Sequence, residues 1–455
     1  MMNWNTCFTN ARFGQEYRSD QARTAYERDF DRLIFSAAFR RLQDKTQVFP
    51  LPGPVLVHNR LTHSLEVASV GRSLGKLVGQ ELADLAAPAA REFYQADLSS
   101  VIAAACLAHD IGNPAFGHSG ESAISAYFTD AAAETLNGIS LREHFNEAEW
   151  QDLTHFEGNA NSFRILTHHY ANRQQGGYQL TYSTLAAIAK YPCASLAADG
   201  SAVHRKKYGF FQSEQESFRK VAETLGMVAE QEDPLVFRRH PFVYLVEAAD
   251  DICYRVIDWE DAHRLGILDS KTAVEALVNL LETGRKERMD RIHVTLDKLK
   301  GDSREQLAFL RAMSINLLVE TAVQNFMKNE SVLLTGMYNR SLLDDMEPAM
   351  GAALKEINSI TMKRIYNHET VVKIELAGYE VMHSLLSHFI PAVLNQRPSH
   401  REKKVLQLLP DQYREEGAGN YVKALNVVDF IAGMTDSYAM ELYKNLHGIS
   451  LPRHT

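Results

Sequence analysis

Ala105-Cys106-Leu107-Ala108-His109-Asp110-Ile111-Gly112-Asn113-Pro114 is the stretch on which the reading of this chain turns. From Leu98 to Ala108 the residues are those of a buried helix, and the Gly112-Asn113-Pro114 turn stops it. An imidazole and a carboxylate at the end of such a run lose water and need partners. A divalent cation serves both, because imidazole with carboxylate suits Mn, Fe, Co or Zn. His-Asp pairs also arise by chance, so the rest of the chain has to supply the company.

Upstream lies Arg60-Leu61-Thr62-His63-Ser64-Leu65-Glu66-Val67. Thr62 is predicted to cap a helix whose apolar side is Leu65, Ala68, Gly71, Leu74 and Leu77. His63 then falls in the first turn, outside the buried stripe, where a histidine is more often a surface or capping residue than a ligand. Downstream, Asp250-Asp251 interrupts the apolar helix that runs from Tyr244 to Asp258. Adjacent acids there are costly unless paired or metal-bound. They point about 100° apart around the helix. Asp251 has Arg255 four residues on, an ordinary ion pair. Asp250 shares its face with Tyr254, Asp258 and Asp261 and has no cation, which makes it the better ligand.

In this order, His63, His109-Asp110 and Asp250 resemble the metal-dependent phosphohydrolases of the HD superfamily. The likeness is closer to the bacterial deoxyguanosine-triphosphate triphosphohydrolases. It is carried by Arg40-Arg41-Leu42-Gln43-Asp44-Lys45-Thr46-Gln47-Val48, Arg60 to Ser64, His109 to Pro114, Phe116 to Glu121, His155-Phe156-Glu157-Gly158-Asn159-Ala160 and Glu247 to Ile252. It runs from about Arg40 to Asp261 and resumes at Gly433-Met434-Thr435-Asp436.

The resemblance implies that His63, His109, Asp110 and Asp250 hold one divalent ion, manganese or magnesium foremost, with cobalt or iron as alternatives. Two imidazoles and two carboxylates leave octahedral positions open, whereas zinc tends towards a closed tetrahedron. His118 and Glu121, three residues apart at a helix start, can share one face. A carboxylate on one ring nitrogen raises the basicity of the other, as a general acid or base requires. The residues alone leave Glu121 equally readable as a charge complementing the helix dipole; the family's matching pair is catalytic. Asn159, Lys190, Tyr191 and Lys207 match positions that contact the triphosphate, and Gln43 matches the sugar-contacting glutamine. Tyr254 and Asp258 lie one and two turns below Asp250, where a deoxyribose would meet them; a core tyrosine is the other reading of Tyr254.

The implied reaction is hydrolysis of a deoxynucleoside triphosphate, dGTP first among them, to deoxynucleoside and intact tripolyphosphate, serving control of the dNTP pool. Two other readings stand beside it. One is an HD phosphohydrolase acting on a 5′-nucleotide, cyclic nucleotide or alarmone; the other is a nucleotide-sensing protein with weak activity. Partners implied by the family are the dNTP, further copies of the chain in a homo-oligomer such as a hexamer, and a nucleotide or single-stranded DNA effector.

Composition fits. With 455 residues, 45% of them hydrophobic, the chain can bury one large core or two medium ones. The net charge of −9 argues against a dedicated nucleic-acid module, leaving local cations such as Arg40-Arg41, Lys190 and Arg205-Lys206-Lys207 to meet a polyanion. Four scattered cysteines offer neither zinc spacing nor a disulfide framework. No signal peptide and no uncharged membrane-length window is seen, so a soluble cytoplasmic protein without membrane partners is expected. Helical periodicity dominates, predicting an all-α fold; the resemblance implies that its core is an HD domain, with an additional C-terminal helical region. The expected divisions are an N-terminal arm over 1–59 with a substrate-contacting segment at 40–48, a core over 60–262, and a C-terminal helical region over 263–455. Tyr178 to Tyr182 suggests a short strand, and Glu282 to Lys300 a charged helix at the boundary.

Overall fold

The computed structural model describes residues 1–14, 23–49, 57–170, 176–415 and 417–451. The protein is all-α; its strands are two small antiparallel hairpins, Thr135–Leu136 with Ile139–Ser140 and Ala229–Gln231 with Val236–Phe237, among the described residues. At its centre is the predicted Leu98–Ala108 helix, buried along nearly its whole length. It packs along Arg60–Leu85, and small residues set the spacing: a Cβ on Gly75 would lie 2.9 Å from the Ser99 Cα. Val243–Arg264 lies against the same helix and carries Asp250.

The start of Arg60–Leu85 differs from expectation. Asn59 is the cap: its side chain accepts the Thr62 amide at 2.9 Å, and the Thr62 hydroxyl accepts the Asn59 amide at 3.0 Å. Thr62 therefore closes a capping box from inside the first turn. The buried face is also rotated from the one predicted. Leu65 and Leu77 are exposed, while Ser64, Val67, Gly71, Leu74 and Val78 face neighbours. His63 is buried on this face, 2% exposed, contrary to the surface position expected from sequence.

Two apolar clusters fill the interior. One takes in the helices above together with Ser303–Lys328; the other is built from His118–Asp130, Glu369–Leu394 and Asn420–Ala432. The His109-Asp110 turn crosses between them, Ile111 anchoring in the first and Ala115 and Phe116 in the second. Ser303–Lys328 has the length and apolar content of a membrane span. Its buried Leu307, Leu310, Leu318 and Phe326, and the Arg311–Glu260 ion pair, make it a core helix instead.

Two local expectations fail. Tyr178 to Tyr182 is no strand: Thr181 makes one isolated bridge to Arg12 and then caps Tyr182–Ile188. The charged stretch from Glu282 is broken at Arg285, whose ψ of 47° ends one helix before Met289–Lys298 begins. Val427 to Asp436 packs back onto the body, with Asp429 buried against Arg164 at 2.8 Å.

Candidate active site

His109 is the C-cap of the central helix, so its ring leaves the helix end where backbone carbonyls are free. Its Nδ1 donates to the Cys106 carbonyl at 2.7 Å, which fixes the tautomer and leaves a lone pair on Nε2. That Nε2 is buried without a hydrogen-bond partner. It faces two carboxylates, Asp250 Oδ1 at 3.5 Å and Asp110 Oδ1 at 3.6 Å. The His63 Nε2 lies 3.1 Å from the same Asp250 oxygen. Lone pairs converging on anionic oxygens repel unless a cation lies between them, so the donors fit a divalent ion. His63, His109 and Asp250 each offer one atom within 4.8 Å of the others. Where no ion binds, a proton on the imidazole takes its place. Although burial opposes its charge, Asp110 and Asp250 pull the His109 ring up to about 9. Burial works against the Asp250 carboxylate too, yet His109 and His63 hold it well below its ordinary range.

Asp110 stands beside this trio. Its Oδ2 accepts from Arg60 at 2.6 Å and its Oδ1 from the Asn113 amide at 2.6 Å, leaving Oδ1 turned towards His109. Asp251 behaves as the sequence suggested, pairing with Arg255 at 3.4 Å. The turn after Asp110 is locked by Gly158–Thr167: the Gly112 amide donates to Ser162 at 3.0 Å, and Asn161 donates to the Gly112 carbonyl at 2.7 Å. Backbone contact is so close that a Cβ on Gly112 would lie 2.2 Å from the Gly158 carbonyl oxygen. The glycines of two separate motifs thus serve one junction.

His118 opens the next helix and stands exposed at the cavity, its Nδ1 2.8 Å from Glu121 Oε2. The other Glu121 oxygen accepts the Gly158 amide at 2.9 Å. Glu121 is 8% exposed and held from two sides, unlike a simple helix-start charge. The His118–Glu121 hydrogen bond raises the imidazole's pKa. Burial pushes Glu121 up, but the bond and charge of His118 prevail and keep it ionised.

These groups share one cavity of about 620 Å³. Asn159, Lys190, Tyr191 and Lys207 line it, as do Tyr254 and Asp258. Each lysine is held by a buried carboxylate that the sequence motifs contain but to which the reading assigns no role: Lys207 by Glu157 at 2.9 Å and Lys190 by Glu247 at 3.3 Å. Arg205, from the same basic run as Lys207, pairs instead with Asp199 at 2.9 Å. Gln43 is exposed and outside the cavity lining; Gln47, one turn on, lines it, with its Oε1 buried and without a partner. His63 lies behind the surface that lines the cavity.

Sequence reasoning missed Arg60, which faces the cavity while bonded to Asp110, and Tyr366, whose hydroxyl donates to Asp258 at 2.9 Å. Arg60 opens the Arg60 to Ser64 motif, a signal available in the sequence. Tyr366 is distant in the chain and carried no local signal.

Residues 60–189 match the HD domain family model, and residues 345–445 match the phosphohydrolase-associated domain. A deoxyguanosinetriphosphate triphosphohydrolase-like protein of Synechocystis sp. is 39% identical over 99% of this chain and 100% of its own length. One from Pseudomonas aeruginosa is 38% identical over 99% and 100%. The deoxyguanosinetriphosphate triphosphohydrolase of Yersinia enterocolitica is 32% identical over 92% and 93%. The first family model covers the His-Asp turn and the second supplies Tyr366, so both meet at the cavity. The chain is a hydrolase and belongs to the deoxyguanosinetriphosphate triphosphohydrolase-like family of HD-domain proteins.

Proposed function

We propose that the protein hydrolyses deoxynucleoside triphosphates, dGTP foremost, to deoxynucleoside and tripolyphosphate, in control of the cytoplasmic dNTP pool. One observation carries this reading. A single cavity joins the His109–Asp250 donors, the His118–Glu121 pair, two carboxylate-held lysines and the Tyr254–Asp258–Tyr366 wall. It has the size of a small-molecule site, and its lining offers cations for a polyanion and hydroxyl and carboxylate groups for a sugar.

His63, His109 and Asp250, with Asp110 beside them, would hold one divalent ion, manganese or magnesium before cobalt or iron. When bound, such an ion polarises a phosphoryl oxygen and neutralises charge developing at phosphorus. Lys190, Lys207, Asn159 and Tyr191 take the triphosphate through charge-assisted bonds, and Arg60 extends the set towards Asp110. Water attacks the α-phosphorus, the bond to the 5′-oxygen breaks, and one water is consumed per dNTP. His118 holds and moves the proton between the water and the leaving 5′-oxygen at Nε2. Glu121 accepts a hydrogen bond from Nδ1–H and so stabilises the charged ring. Asp258 and Tyr366 meet the sugar hydroxyl, Gln47 adds a free amide oxygen, and the Tyr254 ring stands where a ribose 2′-hydroxyl would crowd it. The reading extends to assembly as a homo-oligomer.

The test is a panel of dNTPs and NTPs with manganese or magnesium, the products resolved by anion exchange. Tripolyphosphate and deoxynucleoside should form in equal amounts, with ribonucleotides poor substrates. Orthophosphate or pyrophosphate as primary product would move the protein to another HD activity.

A further inference from the structure

The Gly433-Met434-Thr435-Asp436 motif lies outside the cavity lining, yet Asp436 is only 7% exposed. It opens the last helix, Asp436–Leu446, where an acid ordinarily complements the dipole from the surface. Here both carboxylate oxygens are used by other segments. Oδ1 accepts the Phe116 amide at 2.8 Å, and Oδ2 accepts the Thr46 amide at 2.8 Å. Both donors belong to cavity walls: Phe116 precedes Gly117-His118, and Thr46 precedes Gln47.

Phe116 needs such a hold. Its φ is +61°, a left-handed conformation that a bulky side chain adopts only when its surroundings impose it, and Gly117 follows at +59°. That pair of dihedrals turns the chain from the His109-Asp110 loop into the helix that begins with His118.

A second bond set closes the same junction. Lys45, 3% exposed, donates from Nζ to the Asn113 carbonyl at 2.6 Å and to the Ala432 carbonyl at 2.9 Å. Its own carbonyl accepts the Arg60 amide at 3.2 Å, at the start of the helix that carries His63. Lys45 and Asp436 therefore tie three segments together: the one bearing Gln47, the turn between His109 and His118, and the C-terminal helices.

We infer that Asp436, with Lys45, is a positioning residue of the active site, holding the strained Phe116–Gly117 turn so that His118 stands at a fixed place relative to His109 and Asp110. The inference rests on His118 being the proton-moving group. Asp436 touches neither substrate nor metal donors; it acts through the turn. Catalysis tolerates little displacement of such a group, since about 1 Å can cost on the order of 10²-fold in rate.

The experiment is a double-mutant cycle of Asp436→Asn with His118→Ala, read with the dNTP that wild type turns over best. An asparagine has one acceptor oxygen for two amides and sets its NH2 against the other. Asp436→Asn alone should lower kcat on the order of 10²-fold with KM and manganese affinity within about twofold of wild type. Added to His118→Ala, it should cost nothing more, because the group it positions is gone. A merely structural role would instead multiply the two losses, and that result, or an unchanged kcat, overturns the proposal. Should Asp436→Asn not fold, Lys45→Met, which keeps the stem and removes Nζ, enters the same cycle with the same outcomes. Amide exchange gives a readout free of turnover: at least one of the Phe116 and Thr46 amides should lose protection in Asp436→Asn while the Gly112 amide keeps it. Unchanged protection at both counts against the clamp. A wild type that hydrolyses no dNTP would defeat the functional reading alone, and the exchange data would still decide this one.

Discussion

Two buried polar clusters lie within the same molecule and are built on opposite terms. Around Arg164, which is 1% exposed, every direction is answered: Nε bonds to Asp429 at 2.9 Å, Nη1 to Glu214 at 2.7 Å, and Nη2 reaches Asn426 at 3.3 Å. The cluster carries its own cation and joins Gly158–Thr167 to Asn420–Ala432. Around His109 the count does not close. Two imidazoles and two carboxylates converge, one ring nitrogen has no partner, and the Arg60 guanidinium is taken by Asp110. A self-satisfied cluster needs nothing from outside and serves the fold. A cluster short of one positive charge is built to receive one.

That difference should be sharpest for substitutions at the donors. Asp250→Ala or His109→Ala should abolish metal binding and activity together, whereas Asp251→Asn, one residue away, should keep most of the metal; metal content and turnover measured on the same preparations check both. Next comes Glu121→Ala, which should retain the ion and lower turnover by roughly 10²–10⁴, the usual weight of one acid–base group. A rate equal to wild type would reduce Glu121 to the cap it also provides for Gly158. His118→Ala should match it, and the two losses should not add.

On the other side of the comparison, Arg164→Met leaves Asp429 and Glu214 buried without their cation. It should cost about 3–5 kcal/mol in urea unfolding while the folded fraction binds manganese as wild type does. Weakened metal affinity with stability unchanged would reverse the roles assigned to the two clusters. The smallest effect belongs to an intermediate case. Asp152 has donors for one oxygen, the Gln212 amide at 2.8 Å and the Tyr421 hydroxyl, and none for the other. Burial pushes its carboxyl from 3.8 up to about 7. A raised folded pKa gives stability that is full below about 4 and declines as pH rises to about 7. Asp152→Asn should flatten that decline in melting temperature across the same window.

Asp250 was legible because it sits on a long helix whose apolar pattern leaves the polar residue unexplained, whereas His63 was singled out only by the motif order of the resembled family. Asp250 and Asp251 were separable for that reason. Phase failed on the long Arg60–Leu85 helix, whose buried face is rotated, and again where the element was short. Gln43 lies within a 3-10 turn, Leu42–Asp44, and Gln47 just beyond it, so helical spacing could not show which glutamine turns inward. The cap of the His63 helix was placed inside its first turn because Asn59 and Thr62 are both good caps and the reciprocal bond decides between them. The carboxylates behind Lys190 and Lys207, the Tyr366 wall and the work of Asp436 arise from contacts between distant segments. No local pattern encodes those. The all-α class needed no such contacts and was readable from periodicity alone.

The comparison rests on one missing charge at His109, and a manganese titration followed by electron paramagnetic resonance reads it directly. Free manganese signal should be quenched to one ion per chain in wild type and in Arg164→Met that remains folded, and not at all in Asp250→Ala. Undiminished binding by Asp250→Ala, or none by wild type, would contradict the account.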